Sequence, residues 1–368
     1  MVVVESSSIT DVGRKRKGNE DSLFVNDDMD LYVVADGMGG HQAGEVASRI
    51  VVDSIRDYMM KFKEETIDEE IIDTDKTLSE EAKHLYSAVY QANSKVYQLS
   101  ESNESYKGMG STVSAVYFTG STLIAINVGD SPIYMIRNGD IQTLSVCHTM
   151  MAELEAMAPE KAEPLGRQYR HMLTRAMGVN ETVKPDICEL QVFKGDTLVI
   201  SSDGLSDKVS PEEILDVANK EEPDKACRHF VDLANERGGE DNITVVILNI
   251  KDLIDDVSQT AIEKKGFETE AETSPAKPQT AVDYDTEDGS YRSFIQYINE
   301  DGVFIETRES FYVGQDILLT FLMDDKSSFI ITGKVDSREP EGIDVKFEDL
   351  SQQEQDMIKT LKEKMKPG

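Results

Sequence analysis

The stretch Leu31-Tyr32-Val33-Val34-Ala35-Asp36-Gly37-Met38-Gly39-Gly40 opens with five consecutive apolar or aromatic residues and ends in an acid followed by a glycine-rich turn. A short apolar run bounded by turn residues reads as a buried strand, and an acid held at its end is a candidate site. Downstream, Val46, Ile50, Val51, Ile55 and Tyr58 recur at helical spacing, and Leu85, Val89, Ala92 and Val96 mark a second amphipathic helix within Glu80 to Leu99. Ser111 to Tyr134 clusters β-formers. Asn138-Gly139 between Ile133-Tyr134-Met135-Ile136 and Ile141-Gln142-Thr143-Leu144 predicts a two-residue hairpin. Thr197 to Ser201 and Ile243 to Ile250 are further strands, with helices expected at Pro211 to Asn219, capped by Ser210, and at Lys225 to Glu236. Cys147 to Val183 reads as an irregular flap carrying a short helix.

The whole chain has 368 residues, room for two or three domains. It carries 71 acids against 38 Lys and Arg, a net charge of −33, which repels nucleic acid and anionic lipid surfaces. Three dispersed cysteines, Cys147, Cys188 and Cys227, lack zinc-site spacing and make no disulfide framework. No segment reads as a signal peptide or membrane span, so a cytoplasmic protein is expected. From Lys251 to Asp288 the apolar rhythm is lost, and eleven acids stand against four lysines. Residues 251–288 therefore read as a flexible acidic linker between a domain at 1–250 and one at 289–368. In the latter, Phe294 to Ile298, Val303 to Glu306, Ile317 to Leu322, Phe329 to Val335 and Ile343 to Phe347 are short β runs suggesting a small barrel, and a helix from Leu350 through Leu361 closes it.

The first domain repeats one arrangement: an acid at a strand end or beside glycine, at Asp21, Asp36, Asp130, Asp203 and Asp241. Singly, each reads as a solvated turn. Together, buried carboxylates at strand ends repel one another unless cations lie between them. Oxygen donors point to Mg²⁺ or Mn²⁺, and five histidines without ligand spacing give no support for an imidazole site. Such a centre suits hydrolysis of a phosphate ester. Arg14-Lys15-Arg16-Lys17, just before Asn19-Glu20-Asp21, is either an exposed basic turn or the source of a phosphate-binding guanidinium.

Gly13-x-x-Arg16-x-x-Asn19-Glu20-Asp21, Asp36-Gly37-Met38-Gly39-Gly40-His41, Gly110-Ser111-Thr112, Gly129-Asp130-Ser131, Ser202-Asp203-Gly204-Leu205-Ser206-Asp207 and Asp241-Asn242-Ile243-Thr244 resemble, in order and spacing, the motifs of the PPM family, the metal-dependent serine/threonine protein phosphatases of type 2C. The resemblance covers about residues 8–250. It implies an α+β fold, an α-β-β-α sandwich of two antiparallel sheets flanked by helices, with two or three Mn²⁺ or Mg²⁺ ions at one end. By the same resemblance Asp36, Asp203 and Asp241 bind metal directly, Gly37 contributes its carbonyl, Glu20 and Asp21 hold metal-bound waters, Asp130 joins Asp203 on a third ion, and Arg16 binds the substrate phosphate. The implied activity is metal-dependent hydrolysis of phosphoserine and phosphothreonine in phosphorylated proteins, the targets of a serine/threonine kinase. An inactive signalling adaptor is the alternative.

Two departures stand out. Met38 occupies the position where animal members usually carry a histidine general acid, and His41 is the nearest substitute. Pro132 replaces the arginine that commonly follows Gly-Asp-Ser. The C-terminal region resembles the PilZ β-barrels through Ile298 to Thr307, Gly314 to Ile317, Gly333-Lys334-Val335 and Gly342 to Phe347. Only Arg292 precedes it, and Tyr297 and Asn299 stand where cyclic di-GMP-binding members place an acid or amide and a serine. With no pair of guanidiniums to clamp the ligand's phosphates, cyclic di-GMP binding is not expected, and a regulatory or interaction role is.

Overall fold

A computed structural model describes residues 2–39, 43–67, 78–157, 169, 171–253, 280–285, 290–299, 301–307, 311–322, 328–339, 342–348 and 350–364. His41 and 254–279 of the expected linker lie outside the described residues. The chain divides into two compact units, Val4–Lys251 and Asp252–Gly368, the latter with Met1–Val3.

The larger unit holds two sheets. One contains β2 (Asp21–Asn26), β3 (Leu31–Met38), β5 (Val113–Thr119), β6 (Thr122–Val128) and β9 (Asp186–Gln191) in that order, with β4 (Gly110–Ser111) paired to β3. The other runs β1 (Val2–Asp11), β11 (Ile243–Leu253), β10 (Thr197–Ser201), β7 (Ile133–Arg137), β8 (Asp140–Thr143). Leu31, Val33 and Ala35 of β3 pack on α1 (Ala43–Lys63) and α2 (Glu80–Ser102), through Val51, Ile55, Leu85 and Val89 among others. Tyr32 and Val34, on the opposite face, are equally inaccessible. Since alternate residues point to opposite faces, β3 is covered on both sides. β11 behaves likewise: Ile243, Val245 and Ile247 meet the helix pair Pro211–Lys220 and Pro223–Glu236, while Thr244, Val246 and Leu248 are buried on the other face. Helices outside and sheet facing sheet give the α-β-β-α sandwich.

Local chemistry sets these elements. Asn138 and Gly139 both take positive φ, 53° and 87°, and join β7 to β8 as a tight hairpin with Arg137 opposite Asp140. Ser210 accepts from the Glu213 N–H, the Glu213 carboxylate accepts from the Ser210 N–H, and Pro211 follows at the first helical position. The flap carries α3 (Met150–Met157) as expected. β1, β2 and β9 fall outside the sequence-based strands.

In the smaller unit six antiparallel strands close on themselves: β12 (Thr280–Asp285), β13 (Ser290–Ile298), β14 (Gly302–Glu306), β17 (Gly342–Phe347), β16 (Ser328–Glu339), β15 (Asp316–Leu322), and back to β12. β12 corrects the expected linker at its C-terminal end. Thr280–Asp285 pairs with β13 on one side and β15 on the other, and Val282 joins the core with Ile305, Phe321 and Ile358. Without it, β13 and β15 would each present an unpaired edge. Arg292, expected ahead of the barrel, lies within β13 opposite Asp283. The helix Gln352–Lys364 packs Ile358 and Leu361 into the same core. Among the described residues, no helix is long and apolar enough to cross a membrane.

Candidate active site

Strand ends of both sheets deliver the acids to one place. Asp21 opens β2 directly opposite Asp36 of β3. Asp130 follows β6 by two residues, Asp203 follows β10 by two, and Asp241 precedes β11 by two. An open cleft of about 480 Å³ is lined by Arg16, Glu20, Asp36, Gly37, Asp130, Asp203 and Asp241, together with Met38. Of the eight residues expected from the sequence, Asp21 alone is not on that lining. It lies buried in the seam between the sheets, where Oδ2 accepts from Ser202 Oγ at 2.8 Å and Thr244 Oγ1 at 2.6 Å.

The motif residues between the acids hold the backbone. Ser111 Oγ donates to Asp36 O at 2.9 Å, and the Asp36 N–H donates to Thr112 Oγ1 at 3.0 Å. Thr112 and Ser131 hydroxyls meet at 2.7 Å. Pro132 contributes its carbonyl, which accepts from the Ser201 N–H at 3.1 Å, so the missing N–H costs this connection nothing. Gly37 is required sterically: a Cβ there would stand 2.1 Å from Gly44 O and 2.6 Å from Glu20 O. The Gly37 carbonyl and Glu20 Oε2 both lie about 2.8 Å from where a Gly44 side chain would begin, so two oxygens face one small volume.

Burial pushes the Asp21 carboxyl up to about 7, against the hydrogen bonds from Thr244 and Ser202. Desolvation raises Asp36 well above the usual carboxylate range, and Asp21, Asp203, Asp241 and Asp130 add to it. Asp130 is raised to about 7, by burial and then by Asp203. Two carboxylate oxygens, Asp21 Oδ1 and Asp203 Oδ1, are buried with no hydrogen-bond donor. Each of these strains is what a divalent cation among the acids relieves, and the donor set suits Mg²⁺ or Mn²⁺.

Arg16 reaches the cleft on a clamped loop. Its Nη2 donates to Asp241 Oδ2 at 2.7 Å. Asn242 secures the loop on both sides: its Nδ2 donates to Val12 O and Gly18 O, both at 3.0 Å, and its Oδ1 accepts from the Glu20 N–H at 2.8 Å. Asn242 stood in the quoted motif, but only the fold shows what it ties together.

Two histidines escaped the sequence reading. His171 sits over the acids, Nδ1 3.6 Å from Asp203 Oδ2 and Nε2 3.5 Å from Asp207 Oδ2. Chiefly through Asp203, and against desolvation, it is raised to about 9. Asp130, His171 and Asp203 bring ligand atoms within 4.8 Å of one another. Ligand-pair spacing cannot reveal a group supplied by a different segment from either acid. His148 is fully buried, accepts from the Gly129 N–H through Nδ1 at 3.0 Å, and lies with Nε2 2.5 Å from Asp186 Oδ2. Arg175 Nη1 donates to the same Asp186 oxygen at 2.5 Å, so a partly buried chain of contacts supports the turn that carries Asp130. His148 stands next to Cys147, in the segment of weakest periodicity.

The sequence profile described as Protein phosphatase 2C matches residues 14–244. The chain belongs to the protein phosphatase 2C family. Protein phosphatase PhpP of Streptococcus pneumoniae is 32% identical over 257 residues, 68% of this chain and 98% of that protein. A crystal structure of the Mycobacterium tuberculosis serine/threonine phosphatase PstP/Ppp superposes with a TM-score of 0.59 at 31% identity, over 68% of this chain and 100% of that one. The PstP catalytic domain in complex with two manganese ions gives 0.58 at 30% identity, with the same coverage. All of these likenesses fall on the 2C-type unit. Residues 276–364 match the PilZ domain profile, starting before β12 rather than at 289.

On the barrel, Asn299 Oδ1 accepts from the N–H groups of Asp301 and Gly302, closing the turn before β14. Tyr297 stacks on Phe304 with centroids 5.6 Å apart and donates its hydroxyl proton to Asp344, which also accepts from Ser337 Oγ at 2.8 Å.

Proposed function

We propose that this 2C-type chain is a metal-dependent protein phosphatase that hydrolyses phosphoserine and phosphothreonine without a phospho-enzyme. The convergence of mutually repelling carboxylates from both sheets on one open cleft carries this reading. Asp36, Asp203, Asp241 and the Gly37 carbonyl would hold two divalent ions, Glu20 and Asp21 would complete their surroundings, and Asp130 would share a third with Asp203. When bound, such ions supply a water nucleophile of lowered pKa and neutralise charge at phosphorus. Arg16 binds the incoming phosphate by exchanging Asp241 for phosphate oxygens, a bidentate geometry its guanidinium suits. Asn242 keeps that exchange local by fixing the loop on either side. Met38 lines the cleft without a proton to give.

The PilZ-type barrel is read as a regulatory or interaction module. Tyr297 and Asp344 support this: an aromatic ring tied to an acid offers no cation to a ligand's phosphates. Calorimetry of the full chain with cyclic di-GMP should show no heat, and micromolar binding would overturn this reading.

The test of the activity is hydrolysis of a phosphothreonine peptide by the full chain with Mn²⁺ or Mg²⁺, and with chelator. Turnover confined to the metal-loaded samples, with Mn²⁺ raising the melting temperature, is expected. Mn²⁺ binding without turnover would favour the adaptor.

A further inference from the structure

Arg16 is one of four consecutive cations, Arg14-Lys15-Arg16-Lys17, the only such uninterrupted run in the chain. Arg16 alone has a carboxylate partner. Arg14, Lys15 and Lys17 are exposed and, among the described residues, pair with no acid. Exposed lysines without an acidic partner occur elsewhere among the described residues, Lys95, Lys107 and Lys225 for example, so what sets these three apart is the uninterrupted run that includes Arg16.

The loop bearing them is held rigidly. Gly13 takes φ +77°, and a Cβ there would stand 2.2 Å from Asp241 O. The N–H groups of Arg14 and Lys15 donate to Gly239 O at 2.7 and 3.1 Å, and Asn242 grips Val12 O and Gly18 O. The cations are thus anchored to the segment that carries Asp241. With consecutive Cα atoms ~3.8 Å apart, the backbones of Arg14, Lys15 and Lys17 lie within about 8 Å of Arg16, whose side chain lines the cleft. The 171–180 segment also lines the cleft, with the uncharged Leu173, Thr174, Ala176, Val179 and Asn180 and with His171, which lies against Asp203 and Asp207. One guanidinium serves one phosphate, so three more cations on the same anchored loop are available to further anionic groups next to it.

We infer that Arg14, Lys15 and Lys17 form a cationic collar selecting phosphorylated peptides with Asp or Glu beside the phosphorylated residue. This rests on the phosphatase reading and deepens it by naming the substrate class. An exposed charge pair contributes roughly a factor of two, so three together give about five- to tenfold, screened by salt.

The experiment uses the full chain with Mn²⁺ on three substrates: p-nitrophenyl phosphate, a phosphothreonine peptide with acidic flanks, and the same peptide with Asn and Gln flanks. The expected kcat/KM ratio of acidic to neutral peptide is about five or more at low ionic strength, falling toward one in 0.5 M salt. In R14S/K15S/K17S the ratio should approach one, and in K15E/K17E it should fall below one. Because it is a ratio within one protein, a general loss of folded enzyme does not mimic the effect. Turnover of p-nitrophenyl phosphate with a wild-type ratio near one, or an unchanged ratio in the triple variant, overturns the collar while leaving the phosphatase reading intact. Metal-loaded protein inert on all three substrates overturns both.

Discussion

At the cleft end of the sandwich, Asp21 and Asp203 each keep a buried carboxylate oxygen with no donor, and Asp36 is pressed by four other acids. In the barrel, Asp344 takes hydroxyl protons from both Tyr297 and Ser337, and Lys334 lies between Asp316 and Glu348 at 2.9 and 3.0 Å. In the first arrangement, desolvated like charges cost several kcal/mol, a cost that protonation or a bound divalent cation would relieve. The second is complete as it stands. A family resemblance identifies both units, but among the described residues the acids left without a donor lie in the first, and that unmet demand is what the proposed metal centre rests on.

The largest expected effects break the demand itself. Asp36→Asn and Asp203→Asn should each lower metal-dependent hydrolysis by about 10³-fold or more, since each would remove a proposed metal donor. The metal-free melting temperature should stay equal or rise, because a neutral amide relieves repulsion. Full activity in both variants would refute the metal assignment. Next, Thr244→Val removes a donor from Asp21 in the seam and should destabilise the metal-free chain by about 1–3 kcal/mol in urea unfolding. An unchanged midpoint would mean that Asp21 does not depend on that bond. Arg16→Ala should raise KM for phosphopeptides roughly tenfold, equivalent to ~1.4 kcal/mol. A loss confined to kcat would place its role elsewhere.

The pH dependence carries a definite sign. Asp21 and Asp130 have folded pKa values of about 7 against an ordinary 3.8, so the folded chain holds their protons more tightly. Their contribution to stability is full below about pH 4 and is lost as pH rises through about 7. Asp186 and Glu213, lowered in the folded chain, act oppositely but only below about pH 4. Between pH 5 and 8 the metal-free melting temperature should therefore fall, by about 3 °C or more, and Mn²⁺ should flatten the slope. A metal-free chain that gains stability over that window would contradict the burial of these acids.

Much of this contrast was legible before the fold. Strand β3, the hairpin at Asn138-Gly139 and both long helices announce themselves through local pattern, and Asp36 near the end of β3 is a candidate from the first run of residues. Partners distant in sequence were not legible. β12 looks like linker because its six residues include Thr280, Asp283 and Asp285, and its strand character comes from pairing with β13 and β15. His171 and His148 meet their acids 32 and 38 residues away, at Asp203 and Asp186, so no spacing rule marks them.

The smallest expected effect sharpens the comparison from the barrel side. Tyr297→Phe deletes the hydroxyl that meets Asp344 but keeps the ring that stacks on Phe304. Tyr297 is 45% exposed, so water can replace the lost donor, and Asp344 still accepts from Ser337. The cost should be about 0.5 kcal/mol, a shift of about 1–2 °C in melting temperature. Thr244→Val removes one hydroxyl in the same way, yet its carboxylate partner is buried and water cannot take its place. If Tyr297→Phe proved as costly as Thr244→Val, burial would not be what separates the two units. If it instead created cyclic di-GMP binding, the tyrosine would be a plug over a site rather than part of a finished surface.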